Sequence, residues 1–286
     1  MSQDEREPSP SAKRQTQSYL RGLFDARGLR PKNKLGQNFL VDLNLIDFIV
    51  RNAELTGEDM VLEVGTGTGS LTAQLAQAAR CVLSVEIDAS FHQLASETLA
   101  GRPNVRLFHG DILRNKNHLS PYVLALIEEL RGQYHPGALK LVANLPYAVA
   151  TPVIANFLLS EISFERMVVT VQWEIAERLI ARPGTKDFGA LAVLVQSVAD
   201  VEVLRKLPPA VFWPRPQVAS AIVCIRPSAE KRAQVRDVPA FRVFLRDLYA
   251  HRRKNVRGAL AAMSGRGSKE EVDAKLARLD IDGAAR

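Results

Sequence analysis

Short apolar runs alternate with helical segments along most of the chain. Five runs are rich in β-branched residues and predict strands at residues 61–65, 81–87, 105–111, 139–145 and 166–172. Helical periodicity lies between them, for example at residues 70–79 and 89–100. Strands separated by such helices indicate βαβ units, so the pattern predicts a parallel, doubly wound α/β sheet. Residues 211–227 predict a strand pair that closes this sheet.

The two ends of the chain depart from this alternation. Residues 1–16 are polar, and we expect them to form a disordered extension. Residues 17–30 predict a short amphipathic helix that opens a domain of residues 17–226. Residues 227–286 predict a small helical domain, in which one apolar face carries Phe241, Phe244, Leu245 and Leu248. Another face of the same segment carries Arg242, Arg246, Arg253 and Arg257.

The net charge adds information once it is located. The whole chain has 38 Lys and Arg against 31 Asp and Glu, a surplus of seven. Residues 226–286 hold 15 of the basic and 8 of the acidic residues, so the whole surplus lies there. We therefore expect the C-terminal domain to face a polyanion, with Arg252, Arg253 and Lys254 as candidate phosphate contacts. A merely solvated basic surface is the alternative.

Composition excludes several other classes. No apolar run reaches about 18 residues, which predicts no transmembrane helix, and the polar N-terminus predicts no signal peptide. Cys81 and Cys224 lie in apolar runs and are expected to be core thiols in a cytoplasmic protein. The five histidines form no cluster with ligand spacing, so we expect no metal site.

A glycine-rich loop follows the first predicted strand directly. The segment LEVGTGTGSLT places Gly65, Gly67 and Gly69 before a helix, where open α/β sheets bind ligands. Glu86 ends the next strand and suits a ribose hydroxyl, while Asp111 ends the third and suits an adenine amine. The G-x-G-x-G spacing departs from the dinucleotide fingerprint and favours S-adenosylmethionine (SAM). A tight strand–helix turn without a ligand is the alternative.

The fourth strand ends in Asn144, Leu145, Pro146 and Tyr147. The lone pair of a nucleobase amine is delocalised into the ring, which makes the amine a poor nucleophile. The Asn144 side chain and the Leu145 carbonyl, extended before Pro146, can accept its two hydrogens and favour a localised lone pair. Tyr147 offers a stacking face worth about 1–3 kcal/mol. The segment predicts methyl transfer to a base amine; an Asx-type turn is the alternative.

A flat substrate needs a second wall. Phe212 and Trp213 lie in a segment stiffened by Pro214 and Pro216. Phe212 is the candidate for the wall opposite Tyr147, whereas Trp213 is expected in the core or at the rim. A base held in this way must leave its stack, which implies flipping or a single-stranded loop.

Together these segments resemble one family, the KsgA-type small-subunit rRNA adenine N6-dimethyltransferases. The matching segments cover about residues 20–225 and are KLGQNFL (34–40), LEVGTGTGSLT (62–72), VEID (85–88), HGDIL (109–113), NLPY (144–147), VQWEIAERLIARPGTKDFG (171–189) and VFWPRPQVASAIV (211–223). The resemblance implies a Rossmann-like SAM-dependent methyltransferase sheet with a small C-terminal helical domain. It also implies SAM contacts at Asn38, Leu40, Gly65, Glu86, Asp111 and Asn144, with Gln37 close by.

The resemblance further implies a substrate. Each of two adjacent adenines in the hairpin near the 3′ end of 16S rRNA would receive two methyl groups within the immature small ribosomal subunit. We expect the enzyme to act as a monomer. A resistance-type 23S rRNA adenine methylase, which shares NLPY, is one alternative. A non-enzymatic RNA- or DNA-binding factor on a methylase fold is another, although the intact Glu86, Asp111, Asn144 and Tyr147 disfavour it.

Four features depart from the family pattern. Ala148 stands where asparagine is usual, Trp173 where a basic residue is usual, and Thr66 where proline is common. None removes a proposed catalytic group, but Ala148 and Trp173 bear on how the substrate is positioned. Residues 114–138 are longer than usual and predict a helix, SPYVLALIEEL, without an assigned function.

Overall fold

The computed structural model describes residues 16–251, 253–263 and 268–285 of the chain. The strands are β1 (Phe39–Leu40), β2 (Met60–Val64), β3 (Cys81–Glu86), β4 (Val105–His109), β5 (Leu113–Asn115), β6 (His118–Leu119), β7 (Leu139–Asn144), β8 (Arg166–Gln172), β9 (Ala199–Leu207), β10 (Phe212–Trp213) and β11 (Ser220–Pro227). The helices are α1 (Gln17–Ala26), α2 (Leu43–Asn52), α3 (Ser70–Ala78), α4 (Ala89–Thr98), α5 (Pro121–Tyr134), α6 (Ala150–Leu159), α7 (Trp173–Leu179), α8 (Ala190–Gln196), α9 (Ala229–Ala233), α10 (Val238–Ala250), α11 (Val256–Ala262) and α12 (Lys269–Arg278).

The central sheet confirms the predicted doubly wound α/β fold. Its seven strands lie in the order β4-β3-β2-β7-β8-β11-β9, and the first five run parallel. The chain passes from β2 outward to β3 and β4, then returns to place β7 on the other side of β2. Such a reversal opens a crevice at the carboxyl ends of the two strands, where ligands bind in this class of sheet.

Alternate residues of each central strand enter two different cores. On β7, Leu141 and Ala143 pack in the larger core with residues of α5 to α8. Val142 points to the other face and joins a second core built on α2 and α3. Burial on both faces explains why the central strands are continuous apolar runs rather than alternating patterns.

The prediction for residues 211–227 is wrong in its pairing. Phe212 and Trp213 leave the main sheet and pair with Leu40 and Phe39 in a separate two-stranded sheet. Only β11 joins the main sheet, between β8 and β9, and it is antiparallel to both. The sequence pattern missed β9 because this edge strand is rich in polar and charged residues exposed to solvent.

All described elements after β11 are helices. Leu245 of α10 is buried against Ala155 of α6 and Leu194 of α8, with Phe241 and Phe244 packed around this cluster. The apolar face predicted for this segment therefore docks on the sheet domain. The last strand, β11, ends at Pro227, and the division into two domains after residue 226 stays a prediction.

Other predictions concern the termini and single residues. Thr16 caps α1 by accepting a hydrogen bond from the Tyr19 amide at 3.1 Å, whereas residues 1–15 of the predicted extension lie outside the described residues. Cys81 and Cys224 are free and buried, as predicted for core thiols, and burial raises the pKa of Cys81 to about 11. Within the described ranges, no helix is long and apolar enough to span a bilayer.

Candidate active site

The candidate site is a cavity at the carboxyl ends of β2, β3 and β7. It lies at the reversal of strand order and brings together segments 35–40, 63–71, 86–87 and 144–146. Most of the predicted cofactor residues line it: Gln37, Asn38, Leu40, Gly65, Gly67, Glu86 and Asn144. Residues that are far apart in the sequence thus meet in one crevice, as the strand-end argument predicted.

The glycine loop is packed closely against its neighbours. Gly65 has a φ of +87°, and a Cβ there would lie 3.0 Å from the Cγ of Pro146. At Gly67, with φ +57°, a Cβ would lie 2.9 Å from the Phe39 ring. Both the left-handed backbone and the lack of space exclude a side chain. The loop and the Asn144–Tyr147 segment therefore form one packed unit.

Glu86 is positioned to hold a hydroxyl-bearing ligand. Its side chain is 4% exposed; Oε2 accepts a hydrogen bond from the Gly67 amide and Oε1 one from the Asp88 amide, both at 2.9 Å. Burial raises the pKa of Glu86. A carboxylate can accept about four hydrogen bonds, so Glu86 keeps acceptor capacity for a ribose hydroxyl.

Glu63 lies beneath the glycine loop and was missed by the sequence argument. It is 1% exposed, and its Oε2 accepts hydrogen bonds from Thr72 Oγ1 at 2.5 Å and Ser84 Oγ at 2.6 Å. The Thr66 hydroxyl also contacts Ser84, at 2.6 Å, so this departure from the family pattern belongs to the same network. The available signal was an acidic residue inside an otherwise apolar strand.

The electrostatics of Glu63 suit a cationic ligand. Burial, with a smaller contribution from the nearby Glu86, raises its pKa to about 8 despite the hydrogen bonds from Ser84 and Thr72. A cation entering the cavity would favour the ionised carboxylate. SAM carries a sulfonium and an ammonium group, so the residues present fit this cofactor. Ile87, which is 43% exposed, adds an apolar surface to the cavity and was also missed.

Residues 36–38 form a bracket over the cavity. Gln37 joins two segments, because its Oε1 accepts from the Lys32 amide at 2.7 Å and its Nε2 donates to Asp88 at 3.2 Å. Asn38 Nδ2 donates to the Gly36 carbonyl at 3.2 Å. A Cβ at Gly36 would lie 2.9 Å from the Tyr147 amide nitrogen, which shows how closely the bracket approaches the substrate segment.

The bracket fixes the orientation of Asn144. The Asn144 Nδ2 donates to the Asn38 carbonyl at 2.8 Å, which directs its Oδ1 away from that contact. The oxygen is thus left to accept a hydrogen bond from a ligand. Pro146 lines the same cavity, and Leu145 is buried between them, with 1% exposure. The acceptor role of Asn144 stays a prediction.

The two predicted aromatic walls are neighbours. The Tyr147 and Phe212 rings have centroids 6.5 Å apart and planes at 73°, an edge-to-face arrangement. The Tyr147 hydroxyl lies 2.5 Å from the hydroxyl of the fully buried Ser220. Phe212 is 2% exposed in the α2–α3 core. Because the two rings contact each other edge to face and Phe212 is buried, no gap for a base separates them in this arrangement, and the role of Phe212 as a wall opposite Tyr147 stays a prediction.

Trp213 and Asp111 lie apart from the cavity lining. Trp213 packs on Phe24 of α1, with ring centroids 5.1 Å apart, and lies partly buried against the hydrophobic cluster around that ring. Asp111 is exposed in a neighbouring depression, and its Oδ1 accepts from the Leu113 amide at 2.8 Å. The adjacent Gly110 amide donates to the Glu86 carbonyl at 2.9 Å, so Asp111 stays close to the ribose-binding candidate.

The C-terminal basic face is smaller than its sequence pattern suggests. Arg242 binds Asn117 and Asn156, and Arg257 forms a two-bonded ion pair with Asp273 at 2.5 and 2.6 Å. Arg253 and Lys254 are exposed between α10 and α11, and neither side chain joins an ion pair within the described part of the chain. Arg252 lies outside the described residues.

Comparison with known proteins extends this picture. A model of the family described as "Ribosomal RNA adenine dimethylase" matches residues 28–283. The protein "Ribosomal RNA small subunit methyltransferase A" of Ligilactobacillus salivarius is 40% identical over 264 residues, covering 91% of this chain and 86% of the relative. The protein of the same name from Moorella thermoacetica is 40% identical over 248 residues, covering 86% and 84%.

Solved structures agree with the fold. A dimethyladenosine transferase from Plasmodium falciparum is similar with a TM-score of 0.64 at 24% identity, covering 78% of this chain and 74% of that one. The 23S rRNA methyltransferase ErmE is similar with a TM-score of 0.60 at 26% identity, covering 87% and 92%. The family resemblance noted from the sequence is confirmed. The chain belongs to the ribosomal RNA adenine dimethylase family and is an S-adenosylmethionine-dependent methyltransferase.

Proposed function

We propose that this enzyme dimethylates the N6 amino groups of two adjacent adenines in the 3′-terminal hairpin of 16S rRNA. The substrate would be the rRNA of an immature small ribosomal subunit, and the enzyme would act on it as a cytoplasmic monomer. The observation that carries the proposal is the Asn144 amide, held by the Asn38 carbonyl at the edge of the cofactor cavity. Tyr147, three residues later, supplies the adjoining aromatic face.

The residues of the site have different roles in the proposed methyl transfer. SAM, when bound, supplies an electrophilic methyl group. Asn144 Oδ1 and the Leu145 carbonyl accept the hydrogens of the adenine amine and favour its lone pair for attack. Transfer would form the nitrogen–carbon bond as the sulfur–carbon bond breaks, and the aminium product would release a proton to water. No strong base is needed, because this product is acidic.

The fold sets where the base must arrive. Tyr147 directly follows Pro146, which lines the cavity that contains the glycine loop, so a base stacked on Tyr147 would present its amine toward that cavity. A paired base cannot reach this position without leaving its stack. Arg253 and Lys254 would bind phosphates remote from the reacting adenine, which contributes affinity rather than base selection.

The test is methyl transfer to defined particles. Small subunits from cells lacking the modification are incubated with the full chain and SAM labelled in its methyl group, with large subunits as the control. We expect label in small-subunit RNA only, at four methyl groups per molecule if the reaction runs to completion. Label in large-subunit RNA alone would assign the resistance-type activity instead, and no label in either would refute the proposal.

A further inference from the structure

Two basic side chains that the proposed methyl transfer does not use lie in the segments around Tyr147. Lys34 belongs to the short 3₁₀ helix Asn33–Leu35, and Arg215 belongs to the loop between β10 and β11. Both residues are exposed. Neither side chain forms an ion pair or a hydrogen bond with any residue that the structure describes.

The segment that carries Lys34 contacts the backbone of the substrate segment. A Cβ at Gly36 would lie 2.9 Å from the Tyr147 amide nitrogen and 3.0 Å from that of Ala148. Lys34 precedes Gly36 by two residues, so its Cα lies within about 7 Å of the Gly36 Cα. Leu35, between them, lines the cofactor cavity. The Lys34 backbone therefore lies beside both the cofactor cavity and Tyr147.

The loop that carries Arg215 is flanked by two residues that contact the Tyr147 side chain. Phe212 precedes the loop, with its ring centroid 6.5 Å from that of Tyr147. Ser220 follows the loop, with its hydroxyl oxygen 2.5 Å from the Tyr147 hydroxyl. Because Arg215 is three residues from Phe212, the Cα atoms of the two lie within about 11 Å of each other. The loop is thus held next to the Tyr147 ring at both of its ends.

Strand pairing brings the two segments out at the same place. Strands β1 and β10 are antiparallel, with Phe39 opposite Trp213. In an antiparallel pair, the residues before Phe39 and the residues after Trp213 leave at the same end. Lys34 lies on the first of these stretches and Arg215 on the second. The two cations therefore come from distant parts of the sequence to one end of this small sheet.

The buried carboxylate of this region is bound by another lysine. The Asp88 side chain is 1% exposed, and it pairs with Lys32 Nζ at 2.8 Å and accepts a hydrogen bond from Gln37 at 3.2 Å. The charges of Lys34 and Arg215 are left for an anionic ligand. Lysine offers a compact charge on a flexible stem, and arginine can form two parallel hydrogen bonds to a phosphate. This chemistry suits the phosphodiester backbone of a nucleic acid.

We propose that Lys34 and Arg215 bind backbone phosphates of the RNA strand next to the flipped adenine. The inference rests on the proposed function, because it takes Tyr147 as the ring on which the adenine stacks. A phosphate is separated from its base by a single sugar, so cations beside a stacked base meet the phosphates of that nucleotide. Arg253 and Lys254 lie in the C-terminal helices, whereas this pair positions the strand at the site itself.

The chain offers a matched control at the other edge of the sheet. Arg51 is exposed, and it too has no ion-pair partner in the described part of the chain. It precedes Asn52, the last residue of α2, whose carbonyl accepts a hydrogen bond from Arg166 at 3.0 Å. Arg166 is the first residue of β8, so Arg51 lies at the amino edge of the sheet, whereas the cavity lies at the carboxyl edge. Its replacement removes one positive charge away from the proposed contact.

The test is the salt dependence of RNA binding by the full chain. The probe is an RNA hairpin whose single-stranded loop carries two adjacent adenines, and binding is measured by fluorescence anisotropy over a series of KCl concentrations. Each phosphate contact on a single strand contributes about 0.7 to the slope of log Kd against log salt. We expect Lys34→Gln and Arg215→Gln each to lower the slope by about 0.7, and the double variant by about 1.4. Lys34→Arg and Arg51→Gln should retain the slope.

A second pair of probes locates the contact on the RNA. In one probe the linkages that flank the two adenines are uncharged methylphosphonates, and in the other the same number of linkages is replaced in the hairpin stem. The loop substitution should lower the slope of the unmodified enzyme and cause no further loss in the double variant. The stem substitution should leave the difference between the two proteins unchanged.

Three outcomes would overturn the inference. An unchanged slope for Lys34→Gln or Arg215→Gln would remove that residue from the contact, and an equal loss for Arg51→Gln would reduce the effect to net charge. A further loss of the double variant on the loop-substituted probe would place the contact elsewhere on the RNA.

Transfer of labelled methyl groups to small subunits is measured on the same preparations. Its absence in the unmodified enzyme refutes the proposed function, and this inference with it. Unchanged slopes in the variants, with transfer by the unmodified enzyme intact, refute this inference alone.

Discussion

At the scale of single residues, the contact between Tyr147 and Ser220 shows how the fold supports the substrate wall. The tyrosine hydroxyl lies 2.5 Å from Ser220 Oγ, and Ser220 is fully buried between β8 and β9. The hydrogen bond fixes the ring at its far end, while the backbone of residue 147 is fixed next to Gly36. A ring held at both ends presents its face without a loss of rotamer entropy on binding.

We expect Ser220→Ala to lower kcat about fivefold, because a hydrogen bond of this kind is worth about 1 kcal/mol. The KM for SAM should not change, since Ser220 lies outside the cofactor cavity. In a Tyr147→Phe background the same substitution should cause no further loss, because the hydroxyl partner is already absent. Steady-state kinetics of the four proteins would measure this, and additive losses would show that Ser220 acts independently of Tyr147.

Glu63 predicts a pH dependence of stability. Its pKa is about 8 in the folded protein, against 4.5 for the ordinary carboxyl, so the folded state holds the proton more tightly. The contribution of Glu63 to the free energy of unfolding is therefore fully present below about pH 4.5, and it is lost as the pH rises through about 8. Glu63→Gln mimics the protonated form. The Tm of this variant minus that of the unmodified protein should increase as the pH is raised from 6 to 9. A Tm difference that stays constant over this range would contradict the assigned ionisation.

The sequence predicted those site residues whose role follows from their position at a strand end. Gly65, Glu86 and Asn144 each follow or end an apolar run, and a parallel sheet brings such ends together. Ser220 could not be found in this way, because its role depends on a contact 73 residues distant in sequence. Glu63 was hidden for another reason: its importance comes from burial, which one sequence does not reveal.

At the scale of elements, part of segment 114–138, for which the sequence suggested no function, connects α6 to α10 through hydrogen bonds. The β5–β6 turn carries Asn117, whose carbonyl and Oδ1 accept hydrogen bonds from Arg242 of α10 at 3.3 and 3.0 Å. Arg242 also donates to Asn156 Oδ1 at 2.7 Å, and the Asn156 Nδ2 donates to the Lys116 carbonyl at 3.2 Å. These bonds link the turn, α6 and the first helix of the C-terminal domain.

We expect Arg242→Met to loosen this link. The substitution leaves the Asn156 and Asn117 oxygens without their charged donor, and hydrogen bonds to charged groups are worth about 1.5–3 kcal/mol. Amide hydrogen exchange should accelerate in segments 115–118 and 238–250. Arg246→Met is the matched control, because Arg246 lies on the exposed side of α10 and, among the described residues, its side chain binds its neighbour Asp247 alone. Equal acceleration in both variants would contradict the role assigned to Arg242.

Element boundaries show where sequence patterns succeed and fail. The central strands were found to within one or two residues, because burial on both faces makes them continuous apolar runs. Strand β9 and the pairing of β10 were not predicted, since the middle positions of β9 are only half-buried or exposed and β10 pairs with the distant β1. Pairing between Phe212 and Leu40 carries no local signal, and it brings the candidate wall to the cavity.

At the scale of the whole molecule, charge and cofactor chemistry are separated in space. The cofactor cavity lies at the reversal of the sheet, whereas the surplus of positive charge lies in residues 226–286. Some of these basic side chains form ion pairs within the protein, as Arg257 does with Asp273. Counting charges along the chain identified the basic domain, but only the structure separates the cations that have protein partners from those that face solvent.

The central claim is that Asn144 orients an adenine amine for methylation, and it is tested most directly by the nucleosides of treated small-subunit RNA. Particles lacking the modification are incubated with SAM and either the unmodified enzyme or Asn144→Ala, with saturating SAM and with circular dichroism to verify folding. The RNA is then digested and analysed by mass spectrometry. The unmodified enzyme should yield two N6,N6-dimethyladenosines per RNA, and Asn144→Ala should lose at least about a hundredfold in rate, as when one stabilising group is removed from an active site. Dimethyladenosine formed by the variant at the unmodified rate would contradict the account.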